Sequence, residues 1–266
     1  MNATGSAPYL LSLKGVSKAF GANQALSGVD FEVGAGEVVA LVGDNGAGKS
    51  TLVKAIAGVQ LADQGEFRFK GEPVKISSPQ DATALGIATV YQDLALCDNL
   101  DVVANLYLGR EVFATGAARG VFFLDETAME QSSLKLLQAL AVTTIQDVRV
   151  HVGSLSGGQR QAVAIARSLL GEPSVVLLDE PTAALGVSQT AQVLSLIGTL
   201  RERGLGVVII SHNLENVFAV ADRIIVLRLG KRSATFDVRG IRREDVVAAI
   251  TGAEFGVRPA VGKEDA

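Results

Sequence analysis

The sequence predicts a layered α/β fold: a mostly parallel sheet at the core, an antiparallel β segment ahead of it, and a helical segment inserted within it. Three observations predict this. The runs 38–42, 175–178 and 207–210 are short and continuously aliphatic, as strands buried on both faces should be. Stretches with helical spacing, at 49–58, 158–170 and 187–203, separate strand from strand. Between about 93 and 153 the pattern is mainly helical, most clearly over 129–140.

Taken in order, residues 9–40 alternate apolar and polar positions around turns such as Phe20-Gly21-Ala22-Asn23, which reads as short antiparallel strands. The run 38–42 is closed by a glycine loop and reads as a buried strand. The helix at 49–58 sets Leu52, Val53, Ile56 and Ala57 on one face, with Gly58 as its stop. Residues 63–76 return to strand-like alternation, with Phe67 and Phe69 on one face. The last 15 or so residues, with Gly256, Pro259, Gly262 and Lys263, read as a loose tail.

Composition narrows the function classes. The chain has 266 residues, enough to bury a core without disulfides or metals. Hydrophobic residues make up 48% and charged residues 20%, the balance of a globular protein. A net charge of −4 argues against a protein that coats nucleic acid, so no nucleic-acid partner is expected. The one cysteine, Cys97, excludes an internal disulfide and a multi-cysteine zinc site, and reads as a packing residue. The mean hydropathy of +0.33 raises the question of a membrane span. The longest uncharged stretch, 181–200, carries too many hydroxyls and amides to be one. The N-terminus shows no basic-then-apolar secretory signal. The apolar surplus is therefore assigned to a core or to protein interfaces.

Gly43-Asp44-Asn45-Gly46-Ala47-Gly48-Lys49-Ser50 fits the pattern G-x-x-x-x-G-K-[ST] between an apolar strand and a helix. Glycines let backbone amides curl around phosphate oxygens without Cβ clashes, and the helix N-terminus adds partial positive charge. Gly43, Asn45, Gly46 and Gly48 would form the cradle. Lys49 would reach the β- and γ-phosphates, Ser50 would offer its hydroxyl to Mg²⁺, and Thr51 would donate to the α-phosphate. The plain alternative is a glycine-rich turn with a chance Lys-Ser; the strand–loop–helix setting favours a P-loop NTPase core. Asp179 and Glu180 then end the aliphatic run 175–178. Acids at the carboxyl end of a buried strand sit where α/β sheets bind ligands. Asp179 would hold Mg²⁺, and Glu180 would orient and deprotonate an attacking water. A strand end meeting solvent is the bland reading of either acid taken singly.

Leu155-Ser156-Gly157-Gly158-Gln159 is a second anion nest at a helix start. One γ-phosphate cannot readily use two nests of one chain, which points to two subunits exchanging them. With the phosphate loop before it and Val-Val-Leu-Leu-Asp-Glu-Pro-Thr after it, this string resembles the ATP-binding cassette ATPases over about residues 9–232.

The resemblance implies further roles. Phe20 matches the aromatic that stacks on adenine, against the alternative of a core strand phenylalanine. Gln92 looks like the glutamine that reaches Mg²⁺ and water and joins the core to the helical subdomain at about 93–153. His212, after the run 207–210, looks like the histidine that contacts the γ-phosphate. Ser156, Gly158 and Gln159 would contact the γ-phosphate held by the opposite subunit. His151 reads as a surface residue. Residues 233–266 would be a C-terminal extension and tail. One departure stands out: where the family usually has Ser-Ala-Leu-Asp, this chain has Ala183-Ala184-Leu185-Gly186. Glu180 and His212 are both present, so hydrolysis is expected, with communication between sites altered.

A free-standing cassette without membrane helices or a long coiled coil is similar to importer subunits. The strings Gln92-Asp93-Leu94-Ala95-Leu96 and Glu180-Pro181-Thr182-Ala183-Ala184-Leu185 look like those of carbohydrate importers. The resemblance implies ATP and Mg²⁺ as cofactors, a second cassette and membrane permease subunits as partners, and indirectly a periplasmic or extracellular sugar-binding protein. It implies a peripheral place on the cytoplasmic face of the membrane. The permease surface is expected around residues 92–112, with Leu94, Leu96 and Leu100 either exposed there or filling the helical subdomain. The alternatives are a nucleotide-gated regulatory module with little turnover and an importer of a different small solute.

Overall fold

The computed structural model describes residues 9–114 and 123–253. Two sheets are built in chain order. Strands β1 (Leu11–Phe20), β2 (Asn23–Val33), β4 (Gln64–Phe69) and β5 (Glu72–Val74) form an antiparallel sheet in the order β2-β1-β4-β5. Strands β3 (Val38–Val42), β6 (Ile87–Val90), β7 (Val175–Asp179), β8 (Gly206–Ile210), β9 (Arg223–Arg228) and β10 (Lys231–Asp237) form the central sheet, in the order β10-β9-β3-β8-β7-β6. Its pairs are parallel except at the β9–β10 edge. The strands expected to be short over 9–40 are ten and eleven residues long. Register shifts along β1, with Gly15 and Gly28 at positive φ, absorb irregularities that break the alternation in the sequence.

The aliphatic runs become strands because both faces of the central sheet are covered. Val38, Ala40 and Val42 face one apolar cluster, while Val39 and Leu41 face another. Neighbouring strands repeat the division: Val176 and Leu178 join the first cluster, Val175 and Leu177 the second. The first cluster is roofed by α3 (Val102–Tyr107), α4 (Glu126–Ala139), α5 (Gly157–Leu169), α6 (Val187–Glu202), α7 (Leu214–Val220) and α8 (Arg243–Thr251). The second is filled by the antiparallel sheet with α1 (Lys49–Ile56) and α2 (Pro79–Ala84).

The stop expected at Gly58 lies two residues past α1, at a φ of 71°. The cassette expected over 9–232 ends inside β10, whose residues pair along β9 as far as Asp237. From residue 254 onward the expected tail lies outside the described residues.

Leu94 and Leu96 are half-buried against the first cluster, and Leu100 is half-buried as well. Leu94 and Leu96 thus fill the helical layer. Among the described residues, the exposed large apolar side chains of this region are instead Leu108, Val112, Phe113, Phe123, Leu124 and Leu134. No helix of the described residues is long and apolar enough to cross a membrane.

Candidate nucleotide site

Four loops leave the carboxyl ends of β3, β6, β7 and β8, side by side. Pairing of Leu41 with Ile210, Asp179 with Ile210 and Val90 with Leu178 puts these strand ends at one level. The order of crossovers reverses about β3, so the crevice above it is where an α/β sheet takes its ligand.

The phosphate loop, 43–48, owes its shape to close backbone packing. Gly43 has a φ of 151°, and a Cβ there would lie 2.2 Å from Leu227 O. Gly48 has a φ of 106°, and its Cβ would meet Ala25 O at 2.7 Å. Gly46 has a φ of 80° but nothing within 4 Å, so only its backbone angle asks for glycine. Gly48 is also the N-cap of α1 and supplies no side-chain cap, and no acidic residue stands in the first turn. The helix therefore opens on amides and a partial positive charge that are left for an anion. Lys49 folds back over the loop and donates Nζ to Gly43 O at 2.7 Å and Asp44 O at 2.9 Å. Burial lowers its pKa, against the opposing pull of Glu180, Asp44 and Asp179. Asn45 on the loop and Ser50 in the first turn of α1 are exposed, and Thr51 is half-buried.

Asp179 and Glu180 differ in setting. Burial, and next the charge of Glu180, raise the Asp179 carboxyl, while Lys49 and Lys54 oppose the rise. Glu180 holds a φ of 49°, a left-handed angle that costs a non-glycine residue on the order of 1 kcal/mol or more. Its amide donates to Ile210 O at 2.9 Å. Its Oε1 accepts from the His212 amide at 3.1 Å and lies 2.8 Å from His212 Nδ1. The Glu180 side chain is 16% exposed and that of His212 75%. The acid is thus held from the protein side, and the imidazole stands in the open crevice. Burial and then the charge of Asp179 raise the Tyr91 phenol, which places Tyr91, next to Gln92, within the field of Asp179.

Gln92 is exposed, and with Glu180, Gly157 and Arg160 it lines a cavity of about 420 Å³ between sheet and helical layer. Phe20 is 45% exposed at the end of β1, with Lys18 Nζ 5.5 Å from its ring, so it is no core residue. Across the hairpin from Phe20, Ala25 and Leu26 of β2 pack on Gly48.

Ser156 is the N-cap of α5. Its Oγ accepts from the Gln159 amide, while Gln159 Oε1 accepts from the Ser156 amide at 2.9 Å, completing a capping box. Gln159 Nε2 donates to Thr144 O at 2.7 Å, so both ends of that side chain are engaged within the chain. Gly158 is buried against α6, where a Cβ would sit 3.0 Å from Gln189 Cβ. Among the described residues no hydrogen bond joins 154–160 to 43–51. His151 is exposed, as expected. The bond between Glu180 and His212 is not foreseen by any motif in the sequence. Its signal is only that both residues follow neighbouring strands.

The family model described as ABC transporter matches residues 26–183. The chain belongs to the ABC transporter family. The cassette is 45% identical to a fructose import ATP-binding protein of Rhizobium meliloti, over 95% of this chain and 97% of that one. It is 49% identical to a xylose/arabinose import ATP-binding protein of Sulfolobus acidocaldarius, over 84% and 86%. Among solved structures, the ADP conformation of an ATP-binding cassette superposes with a TM-score of 0.78 at 27% identity, covering 92% of this chain and 99% of that one. A dimeric cassette in a post-hydrolysis state, bound to ADP and Pi, matches with a TM-score of 0.70 at 26% identity, over 87% and 100%.

Proposed function

We propose that this cassette is the ATP-hydrolysing subunit of an importer that takes up a sugar, most readily a monosaccharide, through separate permease subunits in the membrane. The observation that carries the reading is the meeting of the phosphate loop, Asp179, Glu180 with His212, and Gln92 at one sheet edge. Both relatives named above are sugar import ATP-binding proteins. We divide the chain into a nucleotide-binding domain over 9–232, with the helical subdomain at 93–153, and an extension beyond.

Adenine stacks on Phe20, and the amides of 43–51 receive the phosphates. Lys49 gives up its two carbonyl partners for β- and γ-phosphate oxygens. The hydroxyl of Ser50, the amide of Gln92 and the carboxylate of Asp179 form a hard-oxygen donor set that suits Mg²⁺, which binds through few protein groups beside phosphate and water. When bound, Mg²⁺ supplies positive charge against that developing on the phosphates. Glu180 Oε1 accepts a proton from the attacking water as the new P–O bond forms and the ADP oxygen leaves. His212, able to swing from the carboxylate into the crevice, contacts the γ-phosphate.

A second copy completes the site. The Ser156 hydroxyl and the amides around Gly158 face the γ-phosphate held by the partner, while Gln159 steadies the cap. The partner-bound, post-hydrolysis neighbour supports this arrangement. The permease docks in a groove of about 340 Å³ between α2 and β6 on one side and α3 and α5 on the other, lined by Ile87, Leu94, Leu106, Arg110 and Arg167. Closure of the two copies on ATP would draw the permease subunits to a new state, fed by an external sugar-binding protein, from the cytoplasmic face.

Glu180→Gln tests the reading. Hydrolysis should fall by about 100-fold or more while Mg-ATP binding persists, and the variant should accumulate as a dimer in size-exclusion chromatography. Unchanged turnover, or a strictly monomeric variant at saturating Mg-ATP with permease present, would reject it. Labelled-sugar uptake in cells lacking only this chain identifies the solute.

A further inference from the structure

The segment after Gln92 is fastened to the helix that begins at the Ser156 cap. Arg167, on α5, donates Nη1 to Ala95 O and Nη2 to Leu94 O, each at 2.8 Å. Ala95 holds a φ of 49°, an angle a non-glycine residue keeps only where its surroundings impose it. Nearer the start of α5, Arg160 pairs with Asp98 at 3.4 Å. That pair is exposed, so it contributes little beside the two bonds of the half-buried Arg167.

The far end of the segment is pinned as well. Asn105, fully buried on α3, accepts from the Cys97 amide at 2.7 Å and donates to Cys97 O, Leu100 O and Asp101 O. Residues 94–101 therefore belong mechanically to the helical layer. On its other side Gln92 continues β6, whose Val90 pairs with Leu178 of the sheet. Gln92 sits at the joint between the two. Arg167 lies about three turns along α5 from Ser156, and a continuous helix of this length is stiff.

We propose that Arg167 is a positioning residue that makes the loop after Gln92 and the Ser156 end of α5 one rigid body. A nucleotide that displaces Gln92 then shifts the surface that α5 offers to the second copy. The inference rests on the reading that Gln92 meets the bound nucleotide.

Hydrogen–deuterium exchange on the full chain, with and without Mg-ATP, tests it. In the wild type, segments 92–98 and 156–160 should respond together. In Arg167→Gln the first should still respond, while the response of the second falls by about threefold or more. Arg167→Lys, which keeps a donor within reach of a carbonyl, should recover part of the response. Two results would overturn the proposal: segments that respond independently in the wild type, or segments that still respond together in Arg167→Gln. If the phosphate loop at 43–50 shows no response to Mg-ATP, the nucleotide reading fails instead. The clasp is then judged on the nucleotide-free chain. There Arg167→Gln should speed exchange in 94–98 by about threefold and leave β3 and β7 unchanged. Unchanged exchange in 94–98 overturns it, as does faster exchange throughout the chain.

Discussion

A methyl group on Gly43 would collide with Leu227 O, whereas one on Gly46 would meet open space, although both residues hold positive φ. Gly46→Ala should cost about 1–2 kcal/mol, the penalty of a left-handed angle alone. Gly43→Ala should cost more and distort the loop; equal midpoint shifts in urea unfolding would contradict this. Asp179 gives a pH signature. Its folded carboxyl is raised by burial and by Glu180, so the folded chain binds that proton more readily than the unfolded chain. Stability from this group therefore falls as pH climbs through the carboxylate range. Asp179→Asn should melt above wild type at about pH 7, the gap closing toward about pH 3. At this scale motif spacing marks the loop 43–50, Asp179 and Glu180 as candidates, and the fold brings Lys49 into the field of both acids. The clasp of Glu180 by His212 was not legible, since it depends on two strands lying adjacent.

The helix α6 opens at Gly186 with extended backbone angles and no side-chain cap, and a Cβ there would touch nothing within 4 Å. Gly186→Asp should fit, cap the helix and stabilise the fold by a few tenths of a kcal/mol, about what peptide hosts show. Because Val187 beside it is 91% exposed, this end faces outward, where the second copy is proposed to lie. The substitution should therefore change the Hill coefficient of ATPase activity more than nucleotide affinity; equal Hill coefficients would count against it. Strands β3, β7 and β8 were readable because double-sided burial leaves an unbroken apolar run. Strand β10, Lys-Arg-Ser-Ala-Thr-Phe-Asp, is an edge strand with mostly exposed residues, and no such run marks it. The helix α8 was equally unmarked, burying only Val246 and Ala249.

Across the whole molecule, Arg223 holds the two sheets together. From β9 it reaches Glu37 at 2.8 Å, ahead of β3, and Glu32 at 2.9 Å on β2, all three side chains being about one-fifth exposed. Arg223→Ala removes the link between the sheets and, among the described residues, leaves Glu37 with only the Gly34 amide and Glu32 with only Arg232 at 3.5 Å, and should cost about 1–3 kcal/mol. Calorimetry should show the antiparallel sheet loosening first, and a shift below about 0.5 kcal/mol would deny it this role. The layered plan was legible in the sequence from strand–helix alternation. The antiparallel pairing of β1 with β2 was legible from the turn at 20–23, whereas that of β1 with β4 was not, because partners distant in sequence carry no local signal.

The turn between β9 and β10 leans on the phosphate loop. Gly230 donates to Ala47 O and accepts from the Ser27 amide, and Leu229 beside it is 76% exposed. A fluorophore fixed at that tip would ride one peptide unit from the cradle without replacing any group that handles phosphate. The hairpin thus provides an optical window on the occupancy of the cradle, readable while the cassette turns over.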